Sequence, residues 1–209
     1  MASSELKTRV MSAVILGIAV LFITWWSAES FALMCALGGV VVMREWRALT
    51  RMRPWYFAPL GIVYIGAAFA ALVYVRYENI AILWSLFAIV WSGDVAAYFV
   101  GQKFGTHKIA PRISPGKSWE GLAGAIVVSA AVAAVLGRVA PVPHAILGGL
   151  FAIMGLAGDM FESSLKRRAG VKDSGSLIPG HGGLFDRVDA LLPCAIFAAA
   201  ALYIRLHVQ

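Results

Sequence analysis

Hydrophobic and polar positions in this chain alternate in blocks rather than residue by residue. Apolar runs occupy roughly 10–26, 31–49, 58–75, 80–100, 121–137, 144–161 and 190–206, and polar residues gather between them. Each run is near the ~20 residues that a helix rising 1.5 Å per residue needs to cross ~30 Å of hydrocarbon. The pattern predicts an all-α fold: a polytopic transmembrane helical bundle of about seven spans. The first run is longer than the h-region of a signal peptide, and no A-x-A cleavage site follows it. It therefore reads as a first transmembrane helix. The fifth, GLAGAIVVSAAVAAVLG, is rich in Gly and Ala. Small residues let helices approach closely, so it reads as a packed interior helix or a subunit contact, as in a homodimer.

Composition agrees with that pattern. Hydrophobic residues make up 60% of the 209 positions and charged residues 14%, against about 25% charged in soluble domains. The bilayer must act as solvent for most of the chain. The expected organisation is a single integral membrane domain over 1–209, with N-terminal spans in 1–90 and the catalytic part in 91–209. Cys35 and Cys194 lie inside apolar runs and read as packing residues, with no CxxC pair in the sequence.

The net charge of +7 comes without a basic tail or an aromatic RNA-binding signature, so nucleic acid is not an expected partner. The basic residues instead sort by loop. With the N-terminus in the cytoplasm, all but Arg76, Arg138 and Arg205 of the 18 Lys and Arg fall on the cytoplasmic side, as the positive-inside rule requires. The two long polar loops, 101–120 and 162–189, fall on that side too. This is the arrangement expected of a multi-pass membrane protein whose two long polar loops face the cytoplasm.

Chemistry concentrates in those loops. Asp94 sits near the end of an apolar run, where a carboxylate costs about 2.5–3.5 kcal/mol at membrane depth on insertion scales. Such a residue is expected to face a polar cavity or a partner. Downstream, ISPGKSWEG reads as a helix start, with Ser118 as cap and Glu120 in the first turn. Lys117 and the first free N–H groups would then face outward together, an arrangement suited to phosphate. In GDMFESSLKRR, Asp159, Glu162 or Ser163, and Lys166 share one helical face by i, i+3 and i+4 spacing.

The most polar stretch is KDSGSLIPGHGGLFDRVDA, residues 172–190. Asp186 and Asp189, three apart, are expected on one helical face at the start of the last span. Paired carboxylates entering a hydrophobic helix repel each other and lose hydration. A divalent cation with hard oxygen ligands, such as Mg2+, relieves both. Arg187 points about 100° away from them. PGHGG offers backbone with little side-chain bulk, so it can approach a ligand closely, and His181 stands framed by glycines. Carboxylates for metal and clustered cations for phosphates, placed where cytosol meets headgroups, suit a reaction between a water-soluble polyphosphate and a phospholipid.

The stretch SSLKRRAGVKDSGSLIPGHGGLFDRVD, residues 163–189, resembles the signature of the phosphatidate cytidylyltransferases, also called CDP-diacylglycerol synthases. That pattern runs S-x-x-K-R, four residues, K-D-x-G, then P-G-H-G-G-x-x-D-R-x-D, and every fixed position matches. DVAAYFVG and ISPGKSWEG resemble the same family, whose second motif usually reads S-P-K-K-T-W-E-G; here Gly116 and Ser118 replace a lysine and a threonine. The resemblance implies a Mg2+-dependent transfer in which phosphatidic acid attacks the α-phosphorus of CTP. Pyrophosphate leaves and CDP-diacylglycerol forms. It implies Asp159 and Asp186 as metal ligands, with Asp189 supporting, in a dinuclear site that takes K+ as a second cation beside Mg2+. The catalytic candidates are Asp186, Asp159, Lys166 and Arg187. The substrate-binding candidates are Asp94, Ser114, Lys117, Arg167, Lys172 and His181. Two rivals remain: a related CTP-dependent enzyme acting on another lipid, and a nonenzymatic membrane homologue. Within the first, the intact signature speaks against a CTP-dependent polyprenol or phytol kinase, and the retained carboxylates speak against the second.

Overall fold

The computed structural model describes residues 2–178, 180 and 182–207. Seven long helices stand where the apolar runs predict them. They are α1 (Ala2–Trp26), α2 (Ala28–Thr50), α3 (Phe57–Glu78), α4 (Ile80–Phe104), α5 (Trp119–Leu136), α6 (Pro141–Arg168) and α8 (Leu191–His207), with a four-residue helix α7 (Phe185–Val188) before the last. Among the described residues, α3, α4, α5 and α6 are long and apolar enough to cross a membrane, and Val14–Trp26 and α8 are shorter apolar helices. Helix α2 carries Glu29, Arg44, Glu45 and Arg47 along its length.

Local chemistry sets most of the boundaries. Ser27 caps α2 by accepting from Ser30 N at 3.0 Å. Asn79 ends α3 in an extended conformation and caps α4 by accepting from Ala81 N at 2.8 Å. Each cap satisfies one N–H that the first helical turn leaves without an internal partner. Pro141 opens α6 at the position where its missing N–H costs nothing.

Small residues bring α4, α5 and α6 together. A Cβ on Gly93 would strike the Ser129 hydroxyl, and one on Gly148 would strike the Ser129 carbonyl oxygen and the Ala133 methyl. One face of the Gly/Ala-rich fifth segment thus packs closely against α4 and α6, as its composition predicts, while Val127 and Val135 on it are exposed. Two buried clusters complete the core. One joins Phe31, Leu72, Leu83, Phe87, Phe151 and Cys194. The other joins Trp46, Ile65, Leu165, Phe185 and Leu192, with Trp46 Nε1 donating to Phe57 O at 2.8 Å. Large apolar side chains such as Ile15, Ile18, Phe22, Val63, Val127 and Ile146 are exposed, as expected where hydrocarbon is the solvent.

Two features depart from a purely helical expectation. Loop 101–120 folds into an antiparallel hairpin of β1 (Lys108–Ala110) and β2 (Ser114–Ser118). The last span does not begin at Asp186, because α7 and α8 are separate helices. Pro193 explains the break. In a continuous helix its ring would clash with the carbonyl of Asp189 and leave that oxygen without a donor.

Candidate active site

Loops 101–120 and 162–189 meet where α4, α5, α6 and β2 converge. Between α4, α5, α6 and the hairpin lies a cavity of about 460 Å³. Its lining combines polar Asp94, Gln102, Lys108, Lys117 and Ser118 with apolar Val90, Leu122, Phe151 and Leu156. Glycines 93, 101, 105, 116, 121 and 155 form much of its wall, which leaves room for a ligand against backbone. A pocket with apolar lining and a few convergent polar groups is the usual form of a small-molecule site.

Ser118 caps α5, accepting from Gly121 N at 3.1 Å, and Glu120 sits in the first turn, as the sequence predicts. Lys117 does not face outward. It turns inward to form an ion pair with Asp159 of α6. Burial pushes the Lys117 ammonium down, but Asp159, Asp94 and Asp189 around it outweigh burial and hold it above its ordinary value. Asp94 lines the cavity more than two turns before α4 ends and bears electrostatically on Lys117, so it faces a polar cavity as expected for a carboxylate at that depth.

The α6 face carries the next group. Ser163 Oγ donates to Asp159 Oδ1 at 3.2 Å. Lys166 Nζ lies 2.6 Å from Glu162 Oε2 and 2.6 Å from Asp186 Oδ1. The predicted face is therefore real, and Lys166 joins it to the signature loop. Glu162 is fully buried.

Asp186 is held from several sides. Its Oδ2 accepts from Ser174 N at 2.8 Å, Ser174 Oγ at 2.9 Å and Gly183 N at 2.9 Å. Burial pushes its carboxyl up, but Lys166 and these N–H groups more than reverse that and hold it below the ordinary carboxylate range. Asp189 stands differently. Its Oδ1 accepts from Ala190 N at 2.9 Å, and burial, with Asp159 next in weight, pushes it up to about 7. Asp186 and Asp189 share the short turn of α7 and its C-cap but meet different main partners. Asp186 faces Lys166, and the like charge that bears on Asp189 is Asp159.

The remaining predicted residues are peripheral. Arg167 is exposed, and its Nε donates to Ile113 O at 3.1 Å, tying the hairpin to the end of α6. Ser114 begins β2 opposite Ala110. Lys172 and Arg187 are exposed at the edge of the signature loop. His181 lies outside the described residues. Gly180 and Gly182, on either side of it, have φ of 76° and 82°, which side chains rarely tolerate. Ile178 N donates to Gly182 O at 2.9 Å across this turn.

Among the described residues, no group of three or more His, Cys, Asp and Glu side chains converges as a metal cluster. The donor set nevertheless suits a hard cation. Five carboxylates (Asp94, Asp159, Glu162, Asp186 and Asp189) surround two ammonium groups, those of Lys117 and Lys166. The excess is negative and all oxygen, and among the described residues Glu162 Oε1 is buried with no hydrogen-bond partner. Such a set matches the ligands Mg2+ takes.

Sequence reasoning missed one site residue. Glu45 of α2 is buried beneath the signature loop. It accepts from Leu184 N at 2.9 Å, Phe185 N at 2.7 Å and Ser174 Oγ at 3.0 Å. The available signal was an acidic residue near the end of an apolar run, the same signal that singles out Asp94.

Residues 50–205 match the family model described as the Cytidylyltransferase family. The phosphatidate cytidylyltransferase of Brucella suis biovar 1 (strain 1330) is 33% identical over an alignment of 259 residues, covering 96% of this chain and 93% of that protein. The phosphatidate cytidylyltransferase of Bacillus subtilis (strain 168) is 40% identical over 144 residues, covering 65% of this chain and 54% of that protein. The corresponding protein of Mycobacterium leprae (strain TN) is 42% identical over 136 residues, covering 63% and 44%.

Proposed function

The chain belongs to the cytidylyltransferase family, and on that premise we propose that it transfers the cytidylyl group of CTP to phosphatidic acid, giving CDP-diacylglycerol and pyrophosphate for phospholipid biosynthesis. One observation carries the reading. The signature loop, through Asp186 and Lys166, closes onto α6 beside a cavity that is polar at Lys117 and apolar at Phe151. Such a cavity accepts an anionic headgroup beside its polar groups and hydrocarbon against its apolar ones.

An oxygen of the lipid phosphate forms a bond to the α-phosphorus of CTP as the bond from that phosphorus to the bridging oxygen of pyrophosphate breaks. The lipid phosphate is already ionised, so no side chain need act as general base. Both reactants are anions, and their mutual repulsion is the main barrier. Lys117 and Lys166 are fixed cations placed against it. Arg167, Lys172, His181 and Arg187 at the loop edge, with Ser114 on the hairpin, are the groups for the outer phosphates. Asp159 and Asp186, with Asp189 supporting, would hold Mg2+, with K+ as a second cation, and the metal would supply charge neutralisation at the phosphates. The site faces the cytoplasm, where CTP is found, and the protein sits in the inner membrane.

Purified protein in detergent, given labelled CTP, phosphatidic acid and Mg2+, should form labelled CDP-diacylglycerol and release one pyrophosphate per turnover. Product with a polyprenol or another lipid alcohol but not with phosphatidic acid would overturn the assignment in favour of a related CTP-dependent enzyme. No product with any lipid would point to a nonenzymatic homologue.

A further inference from the structure

Two glycines of the signature loop have no conformational reason to be glycine. Gly175 and Gly183 are absent from the positive-φ positions, which are Gly170, Gly180 and Gly182. What excludes a side chain is Glu45. A Cβ on Gly175 would lie 2.7 Å from Glu45 Oε1, 3.1 Å from its Cδ and 3.3 Å from its Cγ. A Cβ on Gly183 would lie 2.6 Å from Glu45 Oε1 and strike the Ser174 hydroxyl. The loop is shaped around this one carboxylate, which arrives from a helix more than 120 residues earlier in the chain.

Burying a carboxylate is costly unless its oxygens are satisfied. Here both oxygens are used. Oε1 accepts from Leu184 N at 2.9 Å, and Oε2 accepts from Phe185 N at 2.7 Å. These are the N–H groups of the N-cap and first residue of α7, where a helix start leaves donors without internal partners. The Ser174 hydroxyl stands 3.0 Å from Glu45 Oε2 and 2.9 Å from Asp186 Oδ2. A hydroxyl has one proton to donate, so Ser174 links the two carboxylates and can satisfy only one at a time.

We propose that Glu45, which lies outside the matched stretch 50–205, is a positioning residue for the reaction: by gripping Ser174, Leu184 and Phe185 it fixes the loop that aims Asp186 at Lys166. Glu45 touches neither substrate in this role. The catalytic part of the proposal rests on the cytidylyltransferase reading, while the anchoring part does not depend on it.

The test uses the full chain in detergent and reads two quantities: amide hydrogen exchange at Leu184 and Phe185, and kcat per folded molecule beside KM for CTP. Glu45→Gln keeps the shape but sets an amide N–H against a donor. It should speed exchange at both amides and lower kcat about tenfold or more, since small misplacements of catalytic groups have effects of that size. KM for CTP should change less than kcat. Glu45→Asp, which keeps both acceptor oxygens, should recover part of the loss. A residue that only stabilised the fold would lower the melting temperature and leave kcat per folded molecule unchanged, and that result would overturn the proposal. So would unchanged exchange. If Glu45→Gln does not purify folded, Gly175→Ala carries the same expectation, because the added methyl meets only the Glu45 side chain among its nearest atoms. The double change Glu45→Ala with Gly175→Ala should then be no worse than Glu45→Ala alone, a non-additivity that contacting residues show; additive losses count against the proposal. If the wild-type protein transfers no cytidylyl group, the family-based reading fails, and the exchange data alone decide the anchor.

Discussion

Two charged side chains in the site, Lys166 and Asp186, are each used at least twice. Lys166 bridges Glu162 and Asp186, and Asp186 accepts from the loop backbone while it faces Lys166. Asp186→Asn therefore does more than remove a charge. Its new amide nitrogen must oppose either the Lys166 ammonium or the N–H groups of Ser174 and Gly183. We expect turnover to fall at least ~10²-fold, as when one strong electrostatic contact to a transition state is lost. The melting temperature should fall as well, because a buried donor left without an acceptor is destabilising. Asp186 is held below its ordinary value, so the unfolded chain takes up the proton first as pH falls. Its contribution to stability is then complete above the ordinary carboxylate range and is lost only as pH drops through the depressed folded value. Thermal unfolding in chelator should show the wild-type advantage over Asp186→Asn constant from pH 8 to 5 and shrinking only below about 4; a decline already at pH 6 would contradict the assigned direction. Residues at this scale were legible where their partners were local. Asp159, Ser163 and Lys166 announce themselves by helical spacing. Glu45 does not, because its partners at 174, 184 and 185 become neighbours only on folding, and beside Arg44 and Arg47 it reads as an ordinary helix end.

Element ends decide which chemistry faces the cavity. The apolar periodicity located all seven long helices, and Ser118 marked the start of α5. The hairpin was not legible, since Lys108–Ala110 and Ser114–Ser118 are short, lack alternation and contain Pro and Gly. Its pairing turns Lys117 inward, which no local rule predicts. The split between α7 and α8 was readable from Pro193 but was masked by the i, i+3 spacing of two aspartates. Packing between helices yields a sharper expectation. At Gly148 of α6 an added methyl meets the Ser129 carbonyl of α5, a backbone atom that cannot rotate away, whereas at Gly66 of α3 it meets nothing within 4 Å. Gly148→Ala should lower the unfolding temperature in detergent and reduce turnover by spreading α5 from α6. Gly66→Ala should be neutral or slightly stabilising, given the better helix propensity of Ala. Equal effects at the two positions would contradict close α5–α6 packing.

At the scale of the whole molecule, the helices divide the surface into two ends of opposite character. The C-terminal ends of α2, α4 and α6 gather with the signature loop and the hairpin, and there Arg44, Arg47, Arg51, Arg53, Lys103, Lys108, Lys166, Arg167, Arg168 and Lys172 collect. The opposite end holds the start of α4, the junction of α5 and α6, and the end of α8, with Arg76, Arg138 and Arg205. By the positive-inside rule, such an asymmetry is expected to keep the basic end in the cytoplasm. The same end carries the site, so topology and substrate supply are one question. Single cysteines answer it, because the native Cys35 and Cys194 are buried and should give little background. Thr106, Val139 and Lys172 are exposed, Val139 fully so. In intact cells an impermeant maleimide should label Val139→Cys and spare Thr106→Cys and Lys172→Cys, and all three should label after lysis. Labelling at 106 and 172 from outside, with 139 protected, would invert the molecule. The cavity would then open away from the compartment that holds CTP, and a cytidylyl transfer fed from the cytoplasm could not occur there.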